Sequence, residues 1–219
     1  MNTLRADLPP VPSPMSHLPV DVRGYPIPWF VAELEDGTRD FRVADADKRR
    51  RAVEDSLCWV CGKTLGRYQI FVLGPMCTVT RTTSEPAMHR ECAEFSVKAC
   101  PFLTLPKAQY RSANLPLGVE APPGEFLTRN PGVSALWQTR HHETFGDGRA
   151  GWLIQVGRPT RVDWYTCGRL ATRVEVIDSL RRGLPTLQSF AAQDGDDALA
   201  EFWRCVGRVM PYLPHEAVA

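Results

Sequence analysis

The chain has 219 residues, 43% of them hydrophobic and 23% charged, a balance that supports a packed core and excludes a wholly disordered polymer. A net charge of +1 excludes the strongly basic field of a general nucleic-acid coat and leaves room only for local basic patches. The opening residues Met1 to Pro10 contain no apolar secretory core, and no run approaches the roughly 18–20 apolar residues of a spanning helix, so the expected location is cytoplasmic, with no membrane partner.

Residues 1–28 hold seven of the 19 prolines and read as an extended arm, because proline fixes φ and removes amide donors. Trp29 to Leu34 reads as a strand, Glu35-Asp36-Gly37 as a turn and Asp40 to Val43 as the returning strand. Asp45 or Asp47 can cap a helix that runs to about Ser56 and carries Lys48-Arg49-Arg50-Arg51, a run flanked by acids and read as a solvated face. After Cys58-Trp59-Val60-Cys61-Gly62, Tyr68–Leu73 and Met76–Arg81 read as a β-hairpin broken at Gly74-Pro75. Ser84 can cap the next helix, with Pro86 in its first turn and its end near Cys100.

Residues 106–132 are rich in proline and glycine and read as a connector between two lobes. Beyond it, strands are expected at Ser134–Arg140, Trp152–Val156 and Arg161–Thr166. Thr172 and Glu175 form a capping box for a helix with an apolar stripe of Val174, Ile177, Leu180 and Leu184, ended by Gly183-Leu184-Pro185. In the last helix Leu199, Phe202, Trp203, Val206, Val209 and Met210 share a face.

The strongest chemical signal is Cys58-x2-Cys61, a gap of 27 residues, then His89-x2-Cys92. A Cys-x2-Cys turn brings two sulfurs onto one ion, and helical positions three apart lie on nearly one face, so His89 and Cys92 can complete a tetrahedron. A Cys3His set suits one structural zinc per chain and leaves no open position for activated water. Cys77, Cys100, Cys167 and Cys205 read as small buried residues outside the set. Knuckle, hairpin and ligand-bearing helix, on Cys58, Cys61, Gly62, His89 and Cys92, resemble the treble-clef zinc-finger superfamily over residues 57–100. That resemblance implies a fold for the segment, not an activity, because the superfamily serves nuclease, nucleic-acid-binding, lipid-binding and protein-binding roles. Its HNH-type nuclease branch uses a further histidine near the hairpin, and no histidine lies between Cys61 and His89. The remainder resembles bacterial or phage-type proteins of uncharacterised role with a Glu-Pro-x-x-His-x-x-Cys helix start, here Glu85, Pro86, His89 and Cys92.

The expected fold is α+β: a zinc-stapled treble-clef lobe at 29–105 packed against a small mixed or antiparallel sheet with C-terminal helices at 133–219. The expected function is an interaction or regulatory protein that binds nucleic acid or a protein partner. Arg67, Arg81, Arg90 and Lys98 near the finger are the candidate contacts. The alternative is an enzyme acting on nucleic acid or nucleotides. It would use His141 or His142 as a base, Cys167 as a nucleophile, or a pocket joining Trp164, Arg169 and His141.

Overall fold

The computed structural model describes residues 2–105, 108–109, 130, 132–146 and 151–215. In chain order the elements are β1 (Val31–Glu33), β2 (Arg39–Ala44), α1 (Ala46–Glu54), β3 (Gln69–Leu73), α2 (Pro75–Thr80), β4 (Thr82–Thr83), α3 (Arg90–Ala99) and the single turn α4 (Pro101–Thr104). They continue with β5 (Ser134–Thr139), β6 (His142–Gly146), β7 (Trp152–Val156), β8 (Arg161–Thr166), β9 (Arg169–Leu170), α5 (Arg173–Gln193) and α6 (Asp196–Val209). All strand pairing is antiparallel, so the fold is α+β.

The organising element is a four-stranded sheet in the order β3-β5-β8-β9. Side chains alternate across a strand. One face therefore presents Ile70, Leu136 and Tyr165 to a core shared with Cys58, Cys61, Cys92, Phe95 and Val97. The other face presents Phe71, Leu73, Ala135, Trp137 and Trp164 to a core shared with α2, α5, α6 and the smaller sheet β4-β7-β6. The central strand β5 is covered on both sides, which is why Ser134-Ala135-Leu136-Trp137 reads as a continuous run of buried residues. The two buried indoles each find an acceptor: Trp137 Nε1 donates to Gly157 O at 2.9 Å and Trp164 Nε1 to Tyr212 O at 2.8 Å.

The proline-rich arm lies on the first core, with Met15 buried and Leu8, Val11 and Leu18 packed around it. Trp29 N–H donates to Val60 O at 2.7 Å and joins the end of the arm to the cysteine knuckle. Asp45 caps α1 by accepting from Lys48 N–H at 2.9 Å. The basic run on α1 divides. Arg50 and Arg51 pair with Glu54 and Asp55, whereas Arg49 crosses to Ser84 O at 2.8 Å and Trp152 O at 2.6 Å, stacked 3.6 Å above the Trp152 ring. Arg49 is thus a clamp between segments and not part of a solvated face.

Four expectations are corrected. Residues 75–80 form helix α2, not the second arm of a hairpin, and β3 pairs instead with β5, Gln69 opposite Thr139 and Leu73 opposite Ala135. Gly74 and Pro75 open the helix, and Thr78 Oγ1 donates to Pro75 O at 2.6 Å. Helix α3 starts at Arg90, not near Ser84, because the run before it is extended and bridges Met88 to Ile70. Helix α5 runs through Pro185 to Gln193. At Gly183 the Met76 thioether fills the place a Cβ would take, its nearest atom 2.5 Å away, so glycine there serves close packing of α2 and not helix termination. On α6, Phe202 and Val209 are buried but Trp203 and the C-cap residue Met210 stay 51% and 44% exposed: the apolar arc is wider than the face the core covers. Most of the expected connector at 106–132, and the Asp147-Gly148 turn, lie outside the described residues. Among the described residues no helix is long and apolar enough to cross a membrane.

Candidate metal centre

Residues 56–65 form a short antiparallel ribbon closed by the Cys58–Gly62 turn. Leu57 bridges Thr64, Leu65 N–H donates to Ser56 O, Cys58 N–H to Lys63 O and Gly62 N–H to Cys58 O, the last three at 2.8 Å. Gly62 sits at φ +73°, and the Trp29 ring presses to 2.7 Å of where a Cβ would be, so both the turn and its cover demand glycine. Trp59 N–H donates to Ala87 O at 2.9 Å and draws the knuckle against the extended run that leads to α3. His89 occupies the N-cap position of α3 at φ −63°, ψ 152°, and Cys92 follows in the first turn. The ligand pair therefore straddles the helix start instead of lying within the helix, and the spacing of three still brings both side chains to one side.

These segments bring the donor atoms of Cys58, Cys61, His89 and Cys92 within 4.8 Å of one another. Tetrahedral coordination at bond lengths of about 2.0–2.3 Å separates neighbouring donors by roughly 3.4–3.8 Å, so the cluster could hold a single metal ion with little rearrangement. Cys58, Cys61 and Cys92 are 0–1% exposed. His89 Nδ1 lies 3.3 Å from Cys61 Sγ, and Nε2 lies 3.0 Å from Thr64 O. A carbonyl only accepts, so the imidazole carries its proton on Nε2 and turns the Nδ1 lone pair toward the sulfurs, the kind of backbone hydrogen bond that orients metal-bound histidines. His89 N–H also donates to Cys58 Sγ at 3.4 Å.

Electrostatically the cluster is built for positive charge. Hydrogen bonds from the Cys61 and Cys92 thiols, then from the Cys61 and His89 amides, drive the Cys58 thiol far below its ordinary range. In turn the Cys58 sulfur raises both Cys61 and Cys92. Three buried sulfurs in contact cannot all ionise without a cation among them. Soft thiolates and one imidazole select a borderline or soft ion over magnesium or calcium.

The other cysteines stand apart from the cluster. Burial pushes the thiols of Cys77 (to about 11), Cys100 and Cys205 upward, which keeps them protonated at neutral pH. Cys167 departs from the expected burial: it is exposed, at φ +48° beside Gly168 at φ +77°, in the tight turn joining β8 to β9.

The expected catalytic groups do not meet. His141 follows the end of β5, whereas Cys167 and Arg169 lie beyond the opposite end, where Ser134 pairs with Tyr165. Arg169 is held by Glu175 at 2.6 Å, and Trp164 is buried. His142 opens β6, whereas the exposed His141 precedes the strand. His142 sits edge-on to Phe71 with ring centroids 5.5 Å apart, and burial lowers its pKa.

The four expected basic contacts also divide. Arg67 and Arg90 lie near one end of the four-stranded sheet. Arg90 is bound by Glu94 at 2.9 Å, by Asp163 and by the Gln138 amide oxygen. Lys98, near the other end of α3, lies 5.9 Å over the Tyr165 ring, and Arg81, at φ +54°, ends α2 beside a groove shared with Arg208 and Glu201. Sequence reasoning missed Tyr68, Arg140, Arg158 and Arg161, which the sheet brings to the same end as Arg67. Only strand register, which no local pattern encodes, could have grouped them. Comparison of the chain with protein-family models, with curated proteins and with solved structures finds no match.

Proposed function

We propose that this is a zinc-stabilised binding protein, in which one structural zinc ion held by Cys58, Cys61, His89 and Cys92 fixes a recognition surface and takes no part in chemistry. The observation that carries the reading is the convergence of three buried sulfurs and an oriented imidazole from two separate segments. Four protein donors fill a tetrahedral ion, which leaves no site for a reactive water. The order of knuckle then ligand-bearing helix supports a treble-clef relationship. The departure from it is that the strand between them pairs with β5 instead of folding back on itself. Seven free thiols, with no disulfide formed, fit the reducing cytoplasm.

The test is metal content of the purified protein by native mass spectrometry, followed by circular dichroism after chelation. The expected result is about one zinc per chain and loss of ordered structure on its removal, because a structural site contributes folding energy outright. Cys58→Ser and Cys92→Ser should lower soluble yield and zinc content together. A protein that purifies metal-free with intact tertiary signals would overturn the structural role.

A further inference from the structure

The end of the four-stranded sheet nearest His89 carries a cluster that the metal site does not use. Gln69 pairs with Thr139 and Gln138 with Arg161, so the next positions outward are Tyr68 on β3's leading edge and Arg140 beyond β5. Arg140 Nη2 donates to the Tyr68 hydroxyl at 2.6 Å, and its guanidinium stacks 4.9 Å from the ring centroid. By the two-residue period of strands, Tyr68, Arg140, Gln138 and Arg161 share the face that carries Ile70 and Leu136 toward the metal cluster. Arg158 lies on the other face, where its carbonyl accepts from Thr139 Oγ1 at 2.9 Å, and stays outside this cluster. Helix α3 covers the middle of this face and reaches its end at Arg90, which bonds Gln138.

The charge is one-sided. Four arginines (67, 90, 140 and 161) meet two carboxylates, Glu94 and Asp163, and Asp163 is already shared by Arg90 and Arg161. Among the described residues Arg67 shows no carboxylate partner, and Arg140 meets only the phenol. Glu91, in the first turn of α3, is exposed. Tyr68 is 43% exposed. In a chain of net charge +1, this concentration is local.

We propose that this sheet end binds single-stranded nucleic acid: Arg67, Arg140 and Arg161 contact successive phosphates, and Tyr68 with the Arg140 plane stacks a base. The proposal rests on the reading of the protein as a zinc-stabilised binding protein and names its partner. Aromatic rings interleaved with guanidinium groups suit a flexible strand, because every base has a π-face and the phosphates can follow the arginines. An acidic polypeptide would satisfy the arginines but would leave the exposed ring without a role. The metal site positions the platform directly: the ribbon at 56–65 leads into Arg67 and Tyr68, and His89 is the residue before Arg90.

The experiment is fluorescence anisotropy on the zinc-loaded full chain, titrated against labelled oligothymidylate, its duplex with oligoadenylate, and a labelled polyglutamate peptide, over a range of salt. The single strand should bind tightest, with a log–log salt slope of about −2 for three phosphate contacts. Arg140→Ala should weaken binding several-fold and flatten the slope by about 0.7. Tyr68→Ala should weaken it by about tenfold or more with little change in slope, and Tyr68→Phe should retain most affinity. Arg181→Ala, which removes the same charge on α5, where that side chain is 75% exposed, should change nothing. No binding at low salt, an equal loss with Arg181→Ala, or polyglutamate binding as tightly as the oligonucleotide would overturn the proposal. Zinc content and circular dichroism of each variant are read separately, so a folded, zinc-loaded protein that fails to bind refutes this platform and leaves the metal reading standing.

Discussion

At the scale of single residues, the capping box at the start of α5 links sequence to stability most directly. Thr172 Oγ1 accepts from Glu175 N–H at 3.3 Å, and Glu175 accepts from Thr172 N–H at 2.8 Å while Arg169 grips its carboxylate. The Arg169 hydrogen bond first, then the Thr172 amide, hold the Glu175 carboxyl at about 2, below its ordinary 4.5. A carboxylate depressed on folding stabilises the native state above its unfolded pKa, and that contribution is lost as pH falls toward the folded value. Glu175→Gln should therefore lie below the wild type in thermal stability at neutral pH, with the gap narrowing as pH drops below 4.5. Because the side chain is 34% exposed, solvent screening keeps the effect small. Thr172→Ala should cost about 1 kcal/mol, a fall in Tm of roughly 2–4 °C by calorimetry. A gap that stays constant across pH would place the contribution outside the carboxylate. This device was legible in the sequence, as were the four clustered donors, because both depend on spacings of three residues that local geometry enforces.

At the scale of elements, legibility falls where tertiary contacts decide. The strands β3, β5, β7 and β8 stand within a residue of their expected bounds, since each is a short β-rich run between turn residues. Met76-Cys77-Thr78-Val79-Thr80 has the same β-rich character and yet forms α2, because its Val79 and Met76 pack against the α5 and α6 side of the second core. Burial there outweighs the β preference of valine and threonine, which spans only about 1 kcal/mol. Helix α5 gives the converse case, continuing through a residue that should end it. Pro185 removes one intrahelical bond and is itself exposed, so it contributes little packing in return. Replacing it with alanine restores the bond. The gain is partly offset by the greater freedom of the unfolded chain, about 0.4–1 kcal/mol. Pro185→Ala should still raise Tm by a few degrees, given the roughly 3 kcal/mol preference for alanine over proline in helix interiors. A lower Tm would mean that the backbone at Arg181 is shaped around the ring and cannot accept the new N–H.

At the scale of the whole molecule, the four-stranded sheet couples the metal cluster to everything else. Ile70 and Leu136 pack toward the sulfurs, while their strand neighbours Phe71 and Trp137 build the opposite core. A backbone cannot lose order on one face and keep it on the other, so the molecule should melt in one transition despite its length. Chelation followed by hydrogen exchange should expose amides of β5 and β8 together with those of the knuckle. Protection that persists in β5 and β8 after the knuckle has opened would show two independent folding units. The sheet order was hidden in the sequence because β3 and β5 are far apart in the chain, and antiparallel register follows from the packed whole, not from either strand.

That same pairing imposes an order of events during synthesis. The full donor set, ending at Cys92, leaves the ribosome well before Ser134–Thr139 does, so the nascent chain can capture its ion while β3 still has a bare edge. An unpaired apolar strand is a template for aggregation. An ion bound at that stage would act as a temporary custodian: it would hold β3 against Met88 and the knuckle until its true neighbour arrives. Zinc starvation should therefore do its damage to newly made chains first, and finished molecules should outlast them.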